Sequence, residues 1–254
     1  MALLEFSDVT KRFGGNEVIS RASFDVREGT ITAVLGPNGA GKTTLFNLIT
    51  GVLRPTSGDI HFDGQSITDM PVPEIVRMGV ARTFQKLRLF KNLTAEQNVT
   101  LSRLSLGTVP WLFAFIGSKG SRQEEKRAVE VASELLSFVG LAGFEQTRAG
   151  SLAHGQQRVL EIARAMALNP RFLLLDEPMA GLNPDESSRL AGSLLRIRER
   201  GITILLIEHH VDVVMDIADR IVVLDFGKVI ADGAPEQIQN NPQVIAAYLG
   251  GKVN

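Results

Sequence analysis

The chain is 254 residues long, and its 27 basic and 28 acidic side chains give a formal net charge of −1. This near-neutral balance argues against nucleic acid as the main partner, because there is no basic surplus to displace many counterions. The absence of cysteine excludes disulfides, thiolate metal sites and thiol catalysis. No stretch reaches the about 20 apolar residues of a membrane-spanning helix, so we expect any membrane role to be exerted through a partner.

The first third of the chain is predicted to be rich in strands. Apolar alternation predicts strands over Leu3–Val9 and Ser23–Val26, and the continuous apolar run Ile31–Leu35 predicts a strand buried on both faces. A glycine-rich loop follows, and then a predicted helix over Lys42–Ile49. Turn residues on both sides of Ile60 predict a short hairpin.

The middle of the chain changes character between about residues 94 and 168, where strand-like runs are absent. The spacing of apolar residues predicts helices over Glu124–Val139 and Gln156–Ala167. Residues 102–122 are the least regular part and contain the sole tryptophan, Trp111. This composition predicts a helical subdomain.

The last third returns to alternating strands and helices. In chain order, the pattern predicts strand Phe172–Leu175, helix Pro184–Glu199, strand Ile202–Ile207, helix Val211–Ala218, strand Ile221–Leu224 and strand Lys228–Ala231. Asn183 as N-cap and Pro184 at the first helical position favour the start of the first helix. The alternation predicts a largely parallel sheet with right-handed crossovers.

These elements predict an α/β fold with a largely parallel sheet and an inserted α-helical subdomain. We expect one domain over residues 1–254. Within it, we expect residues 1–85 and 154–254 to form the sheet core and residues 86–153 to form the helical subdomain.

A segment between the third predicted strand and the first helix has the spacing of a Walker A phosphate loop. Its residues are Gly36, Pro37, Asn38, Gly39, Ala40, Gly41, Lys42 and Thr43. The glycines let backbone N–H groups approach an anion, and the helix that follows offers its positive end to a phosphate. We expect Lys42 to contact the β- and γ-phosphate oxygens, Thr43 to bind Mg²⁺ and Thr44 to help hold a phosphate. The alternative is a glycine-rich turn, which the flanking strand and helix make less favourable.

Two acids, Asp176 and Glu177, follow the apolar strand Phe172–Leu175. In a doubly wound sheet, that end of the strand lies at the same edge as the phosphate loop. Asp176 is therefore suited to hold Mg²⁺ through water, and Glu177 to take a proton from an attacking water. The alternative is a pair of exposed acids that end a strand.

Six motifs, found in the family's order along the chain, resemble those of the ATP-binding subunit of an ABC transporter, over essentially the whole chain. Besides the Walker A loop and the Asp176–Glu177 pair, Ala81–Gln85 resembles the segment that ends in the Q-loop glutamine. Leu152–Arg158 resembles the signature loop, Ala180–Asn183 the D-loop, and Glu208–His209 the switch-histidine segment. The resemblance implies an α/β, P-loop NTPase fold of the ABC type, with a mixed sheet core, antiparallel N-terminal strands and an inserted α-helical subdomain, that binds ATP and Mg²⁺.

The resemblance also implies roles for single residues. Gln85 would contact Mg²⁺ and the attacking water, His209 would contact the γ-phosphate, and Phe13 would stack on adenine. Each has a plain alternative: Gln85 and His209 as surface residues, as His210 is expected to be, and Phe13 as a core residue after the first strand.

In this family two ATP-binding subunits pair head to tail, and each ATP lies between one Walker A loop and the opposing signature loop. The signature residues here are Leu152, Ala153, His154, Gly155 and Gln156. We expect a helix that begins at Gln156 to offer its N-terminus to the γ-phosphate.

Two departures from the usual family pattern point to one subgroup of the family. Ala153 and His154 replace the usual Ser and Gly, so no hydroxyl is available there, and Asn183 replaces the usual D-loop Asp. The combination resembles the subgroup that imports branched-chain amino acids, as does the final segment Asn241–Gly250. That segment is also expected to be an amphipathic helix packed on its own domain.

The resemblance implies several partners. These are a second ATP-binding subunit, identical or homologous, two membrane permease subunits and an extracytoplasmic solute-binding protein, with this chain at the cytoplasmic face of a prokaryotic-type membrane. Leu87, Leu89 and Phe90, beside Gln85, would face the permease or equally form core. Trp111, Phe113 and Phe115 are expected to extend that contact or to pack the inserted region.

The alternatives in function are a lipid- or lipopolysaccharide-exporting ABC ATPase, and a non-transport ABC ATPase of DNA repair or translation.

Overall fold

The computed structural model describes residues 1–85, 87–105 and 119–249, except for the side chains of residues 119–122 and 249. The chain divides into two compact units. The first is formed by Met1–Arg82, Arg171–Pro178 and the chain from Leu194 onward, and the second by Thr83–Pro170 and Met179–Ser193. The second unit includes more of the chain than the helical subdomain expected over residues 86–153. The division into a sheet core and a helical subdomain at those residues stays a prediction.

The strands are β1 Ala2–Phe13, β2 Asn16–Arg27, β3 Ile31–Leu35, β4 Ser57–Phe62, β5 Gln65–Ser66, β6 Val80–Arg82, β7 Phe172–Asp176, β8 Thr203–Ile207, β9 Arg220–Asp225 and β10 Lys228–Gly233. The helices are α1 Lys42–Ile49, α2 Val72–Arg77, α3 Ala95–Leu104, α4 Lys119–Phe138, α5 His154–Met166, α6 Pro184–Glu199, α7 Val211–Ile217, α8 Pro235–Gln239 and α9 Pro242–Leu249. A short 3-10 turn covers Ala149–Ser151.

The first unit begins with an antiparallel sheet in the strand order β2-β1-β4-β5. Strands β1 and β2 pair along almost their whole length, which makes both longer than their apolar patterns predicted. On the buried face, the rings of Phe6 and Phe24 stack with centroids 4.7 Å apart. The predicted hairpin around Ile60 is confirmed as β4 and β5.

The second sheet of this unit has the strand order β10-β9-β3-β8-β7-β6. Strands β9, β3, β8, β7 and β6 run parallel, and β10 pairs antiparallel with β9, so the sheet is mixed. Every residue of β3, β7 and β8 is buried, as expected of strands covered on both faces. The predicted α/β fold with a mixed sheet and antiparallel N-terminal strands is thus confirmed.

The second unit is helical over its described residues. Helix α3 begins with a capping box, in which Thr94 and Gln97 each bond the other's backbone N–H. Helix α5 carries a buried ion pair between Arg158 and Glu161, with an N–O distance of 3.8 Å. Burial raises the pKa of Glu161, while the backbone N–H of Arg88 and the charge of Arg158 oppose that rise.

The predicted start of the helix after the signature loop is wrong. Helix α5 begins at His154, two residues before the expected start at Gln156. The side chain of Gln156 folds back, and its Oε1 accepts a hydrogen bond of 3.0 Å from the backbone N–H of Ala153. This closes the first turn around Ala153 as the N-cap, so His154 and Gly155 are already helical.

None of the described helices is both long and apolar enough to cross a membrane.

Candidate functional site

Parallel pairing brings three strand ends to one edge of the mixed sheet. Strand β8 lies between β3 and β7, with Val34 and Asp176 both registered with Ile207. The Walker A loop follows β3, Glu177 follows β7, and Glu208 and His209 follow β8. The first unit therefore assembles the phosphate loop, the two acids and the histidine at the carboxyl edge where α/β sheets bind ligands.

The loop between β3 and α1 requires glycine at two positions. A Cβ at Gly36 would lie 2.1 Å from the backbone oxygen of Leu224, and one at Gly41 would lie 2.8 Å from that of Val18. Gly41 also has a φ of 104° and is the N-cap of α1. The loop thus packs tightly on neighbouring strands, and α1 begins directly behind it at Lys42.

Lys42 is held inside this loop. Its Nζ donates hydrogen bonds of 2.6 Å to the backbone oxygen of Gly36 and 3.0 Å to that of Pro37, and the residue is 7% exposed. Burial lowers the pKa of Lys42, and the negative charges of Glu177 and Asp176 oppose that shift. The ammonium group is thus fixed at the start of α1 by backbone oxygens and neighbouring acids.

The rest of the loop offers groups to an anion. Asn38, Gly39 and Thr43 are exposed, Pro37 and Thr44 are half-buried, and Ala40 is buried. The Thr43 hydroxyl and the Asp176 carboxylate are hard oxygen donors of the kind that Mg²⁺ prefers. This donor set fits a magnesium ion that takes its remaining ligands from phosphate and water.

Asp176 ends strand β7 with a side chain that is 4% exposed. Its Oδ2 accepts a hydrogen bond of 3.0 Å from Nη2 of Arg82, whose side chain is 7% exposed. The sequence interpretation included Arg82 in the Q-loop segment without assigning it a role. The only sequence signal was its place three residues before Gln85.

Glu177 and His209 meet beside the loop. The distance between His209 Nε2 and Glu177 Oε1 is 2.9 Å. A carboxylate only accepts hydrogen bonds, so the imidazole donates its Nε2–H. Glu177 has a φ of 51°, and its backbone N–H donates to the oxygen of Ile207 at 2.9 Å. The adjacent His210 is exposed, as expected.

Phe13 lies at the end of β1 and is 47% exposed. The Nζ of Lys11 lies 5.1 Å from the centre of its ring. The alternative of a core residue is therefore wrong, and an exposed aromatic face remains available for stacking.

The signature residues lie in the second unit. Leu152 and Gly155 are buried, Ala153 and His154 are exposed, and Gln156 is half-buried. The first turn of α5 thus presents a small side chain and an imidazole, but no hydroxyl.

Asn183 caps helix α6, as its position before Pro184 predicted. Its Oδ1 accepts from the backbone N–H of Glu186 at 2.9 Å, and Glu186 Oε2 accepts from the backbone N–H of Asn183 at 3.0 Å. The Asn-x-x-Glu spacing was the signal that would have identified Glu186 as the partner. A cap of this kind is satisfied by Asn as well as by Asp.

Gln85 is exposed and belongs to the second unit, as does Phe90, which is 53% exposed. Leu87 and Leu89 are half-buried. The approach of Gln85, Asn183 and the signature loop to a phosphate stays a prediction, since these residues belong to a different unit from the Walker A loop. Trp111, Phe113 and Phe115 lie outside the described residues.

Comparisons with known families agree with this assembly. The profile described as "ABC transporter" matches residues 19–180, and that described as "Branched-chain amino acid ATP-binding cassette transporter" matches residues 228–254. The "High-affinity branched-chain amino acid transport ATP-binding protein BraF" of Pseudomonas aeruginosa is 46% identical over 98% of both chains. LivG of Escherichia coli, which carries the same description, is 41% identical over 98% of both chains. These relatives do not favour the lipid-exporter alternative.

Solved structures give the same grouping. The ADP conformation of MJ1267, an ATP-binding cassette of an ABC transporter, superposes with a TM-score of 0.87 and 33% identity, and covers 98% of this chain and 99% of that one. A dimeric structure of the cassette MJ0796, bound to ADP and Pi, superposes with a TM-score of 0.76 and 26% identity, and covers 91% of this chain and 98% of that one.

Proposed function

Because this chain belongs to the ATP-binding proteins of the ABC transporter family, we propose that its ATP hydrolysis drives the import of branched-chain amino acids through partner membrane subunits. The observation that carries the proposal is the assembly of Lys42, Asp176, Glu177 and His209 at one edge of a parallel sheet. The choice of solute rests on BraF and LivG, which are described as branched-chain amino acid transport proteins.

The Walker A loop holds the phosphates of ATP in this proposal. Backbone N–H groups of the loop and the first turn of α1 donate to the β-phosphate, and Lys42 exchanges the oxygens of Gly36 and Pro37 for phosphate oxygens. Thr43 would ligate Mg²⁺ directly, and Asp176 through water. When bound, Mg²⁺ supplies charge neutralisation on the β- and γ-phosphate oxygens. Phe13 stacks on the adenine.

Hydrolysis needs a base beside the γ-phosphate. Glu177 takes the proton of the attacking water as that water's oxygen bonds to phosphorus and the bond to the leaving ADP oxygen breaks. His209 donates to Glu177 at 2.9 Å, which fixes the carboxylate and leaves the imidazole near the transferred phosphate. Gln85, from its own segment, would contact the attacking water and Mg²⁺.

A second ATP-binding subunit completes each site. The first turn of α5 in one subunit, with Leu152, Ala153, His154, Gly155 and Gln156, faces the γ-phosphate bound by the other. Because Ala153 offers no hydroxyl, recognition there rests on backbone N–H groups. The MJ0796 structure, described as dimeric and bound to ADP and Pi, supports pairing of this kind.

Closure of that dimer around ATP is the step that does mechanical work. ATP binds the closed state more tightly than the open state and so shifts the equilibrium between them, and hydrolysis resets it. The segment with Leu87, Leu89 and Phe90 docks one of two permease subunits at the cytoplasmic face of the membrane. A solute-binding protein on the other face delivers the amino acid.

The test is uptake of radiolabelled leucine in cells from which the gene has been deleted. A plasmid copy of the wild type should restore uptake, and Glu177→Gln should not, although both proteins accumulate equally. Restored leucine uptake by Glu177→Gln would refute hydrolysis as the driving step. A deletion that left leucine uptake intact and abolished uptake of another solute would refute the choice of solute.

A further inference from the structure

The first unit contains a buried cation for which the mechanism above has no use. Arg82 ends strand β6, at the edge of the mixed sheet, and is registered with Leu174 of β7. Its side chain is 7% exposed, and it forms an ion pair with Asp176, whose side chain is 4% exposed. The free-energy cost of burying two charges is offset only when their geometry and hydrogen bonds are good.

Arg82 is held from a second direction by helix α1. Its Nη1 donates to Asn47 Oδ1 at 2.7 Å and lies 3.4 Å from Thr50 Oγ1. The guanidinium also lies 5.5 Å from the centre of the Phe46 ring. One planar group thus joins the acid at the end of β7 to the helix that follows the Walker A loop.

The terminal nitrogens of Arg82, Nη1 and Nη2, lie in the plane of the guanidinium group and form a rigid fork. Nη1 is fixed by α1, so Nη2 reaches Asp176 from a set direction and donates to Oδ2 of the carboxylate. This contact limits rotation of the carboxylate about its Cβ–Cγ bond. A carboxylate that hydrogen-bonds metal-bound water holds the metal more tightly when its orientation is fixed, because outer-shell partners orient the ligand and tune its affinity for the metal.

We propose that Arg82 is a positioning residue for Mg²⁺-dependent nucleotide binding, which acts by fixing the orientation of Asp176 relative to α1. This inference rests on the proposed function, since it assumes that Asp176 meets Mg²⁺ through water. It assigns to Arg82 no contact with nucleotide or metal. Removal of the fork takes away this constraint on the Asp176 carboxylate, which weakens its hold on the metal-bound water.

The experiment measures ATP affinity by calorimetry, once with excess MgCl₂ and once with EDTA, and compares the ratio of the two dissociation constants. In Arg82→Met, the gain from Mg²⁺ should fall by about 10- to 100-fold, the range for loss of an outer-shell partner. ATP affinity in EDTA should stay within a factor of about three of the wild-type value. Arg82→Lys keeps the charge without the planar fork and should give an intermediate ratio.

Asn47→Ala serves if Arg82→Met does not fold. It keeps the ion pair with Asp176 and removes the 2.7 Å bond to Nη1. The gain from Mg²⁺ should fall by about two- to fivefold, a smaller loss than for the whole outer-shell partner.

The matched control is Arg220→Met, which breaks the half-buried pairs with Asp25 and Asp232 in the same unit. Its Mg²⁺ ratio should equal that of the wild type even if its melting temperature falls.

Three outcomes would overturn the inference. A folded Arg82→Met with a wild-type Mg²⁺ ratio would reduce Arg82 to a structural role. A larger gain from Mg²⁺ in Arg82→Met would mean that the guanidinium acts mainly as a competing positive charge. A wild-type protein whose ATP affinity does not respond to Mg²⁺ would overturn the proposed metal role of Asp176 together with this inference, whereas the first two outcomes leave the proposed function intact.

Discussion

Two helices of this chain begin behind glycine-containing segments, and they begin in different ways. Helix α1 starts at a buried lysine behind a loop that packs against backbone, where glycine is required at residues 36 and 41. Helix α5 starts at exposed residues, and its N-cap Ala153 has no side-chain acceptor. A glutamine side chain, that of Gln156, closes the first turn instead.

The two helix starts differ in whether charged side chains or backbone groups would face a bound phosphate. The start of α1 is surrounded by Lys42, Asp176 and Glu177, which belong to the same unit. The described start of α5 offers backbone N–H groups and the positive end of a helix. We therefore expect single side-chain changes to have large effects at α1 and small effects at α5.

Glu177→Gln should give the largest effect. The amide cannot accept the proton of the attacking water, so turnover should fall by roughly 10² to 10⁴. ATP binding should persist, and the variant should accumulate as a dimer in ATP. Phosphate release and gel filtration measure the two quantities, with the exposed Glu74→Gln as control. Wild-type turnover in Glu177→Gln would remove this residue as the base.

Lys42→Ala should act on binding. It removes charged hydrogen bonds to phosphate, and the loss of one such bond costs about 1.5–3 kcal/mol, so ATP affinity should fall by roughly 10- to 150-fold for each bond lost. Equilibrium dialysis measures the affinity. Lys228→Ala, which removes an exposed lysine of the same unit, should bind ATP normally. Normal affinity in Lys42→Ala would contradict the Walker A assignment.

Ala153→Ser tests the start of α5 directly. The extended backbone of Ala153 suits an N-cap hydroxyl, which should stabilise the fold by about 0.5–1 kcal/mol. Ala234 is a matched control, because it is the N-cap of α8 and its N–H is likewise bonded by a glutamine, Gln237, at 3.0 Å.

Thermal unfolding should show a similar gain for Ala153→Ser and Ala234→Ser. In the Glu177→Gln background, ATP-dependent dimerisation should strengthen only with Ala153→Ser, since that hydroxyl alone would face the γ-phosphate. Equal dimerisation of both variants and the parent would place the signature contact wholly on the backbone.

The smallest effect concerns Glu161 on the same helix. Burial raises its pKa above the ordinary value of 4.5, so its contribution to stability is fully present below that value and is lost as pH rises through the raised pKa. The difference in unfolding free energy between wild type and Glu161→Gln should therefore shift in favour of the variant from about pH 4.5 upward. Urea unfolding at several pH values measures it, and a difference that does not change with pH would contradict the raised pKa.

Most of the sheet could be predicted from the sequence, because β3, β7 and β8 are continuous apolar runs buried on both faces. Helix α2 and strand β6 were missed, since six and three residues are too few to show a period. The start of α5 was misplaced because the glutamine that closes it lies inside the helix it caps, at Gln156.

The candidate site could be predicted where consecutive residues of one motif carry the functional groups, as in the Walker A loop and the pair Asp176–Glu177. The ion pair between Arg82 and Asp176 could not, because 94 positions separate the two residues and only the pairing of β6 with β7 brings them together. The exposure of Phe13 was equally undetermined, since a strand end can face either core or solvent.

The backbone at Glu177 sets a limit for protein engineering. A non-glycine residue at a φ of 51° is disfavoured by roughly 1–3 kcal/mol, and glycine or asparagine would relieve much of that cost. A redesign that ranks substitutions by stability alone would therefore select against the carboxylate that carries the chemistry. Efforts to make this chain heat-resistant should hold position 177 fixed and look for gains at caps such as Ala234 instead.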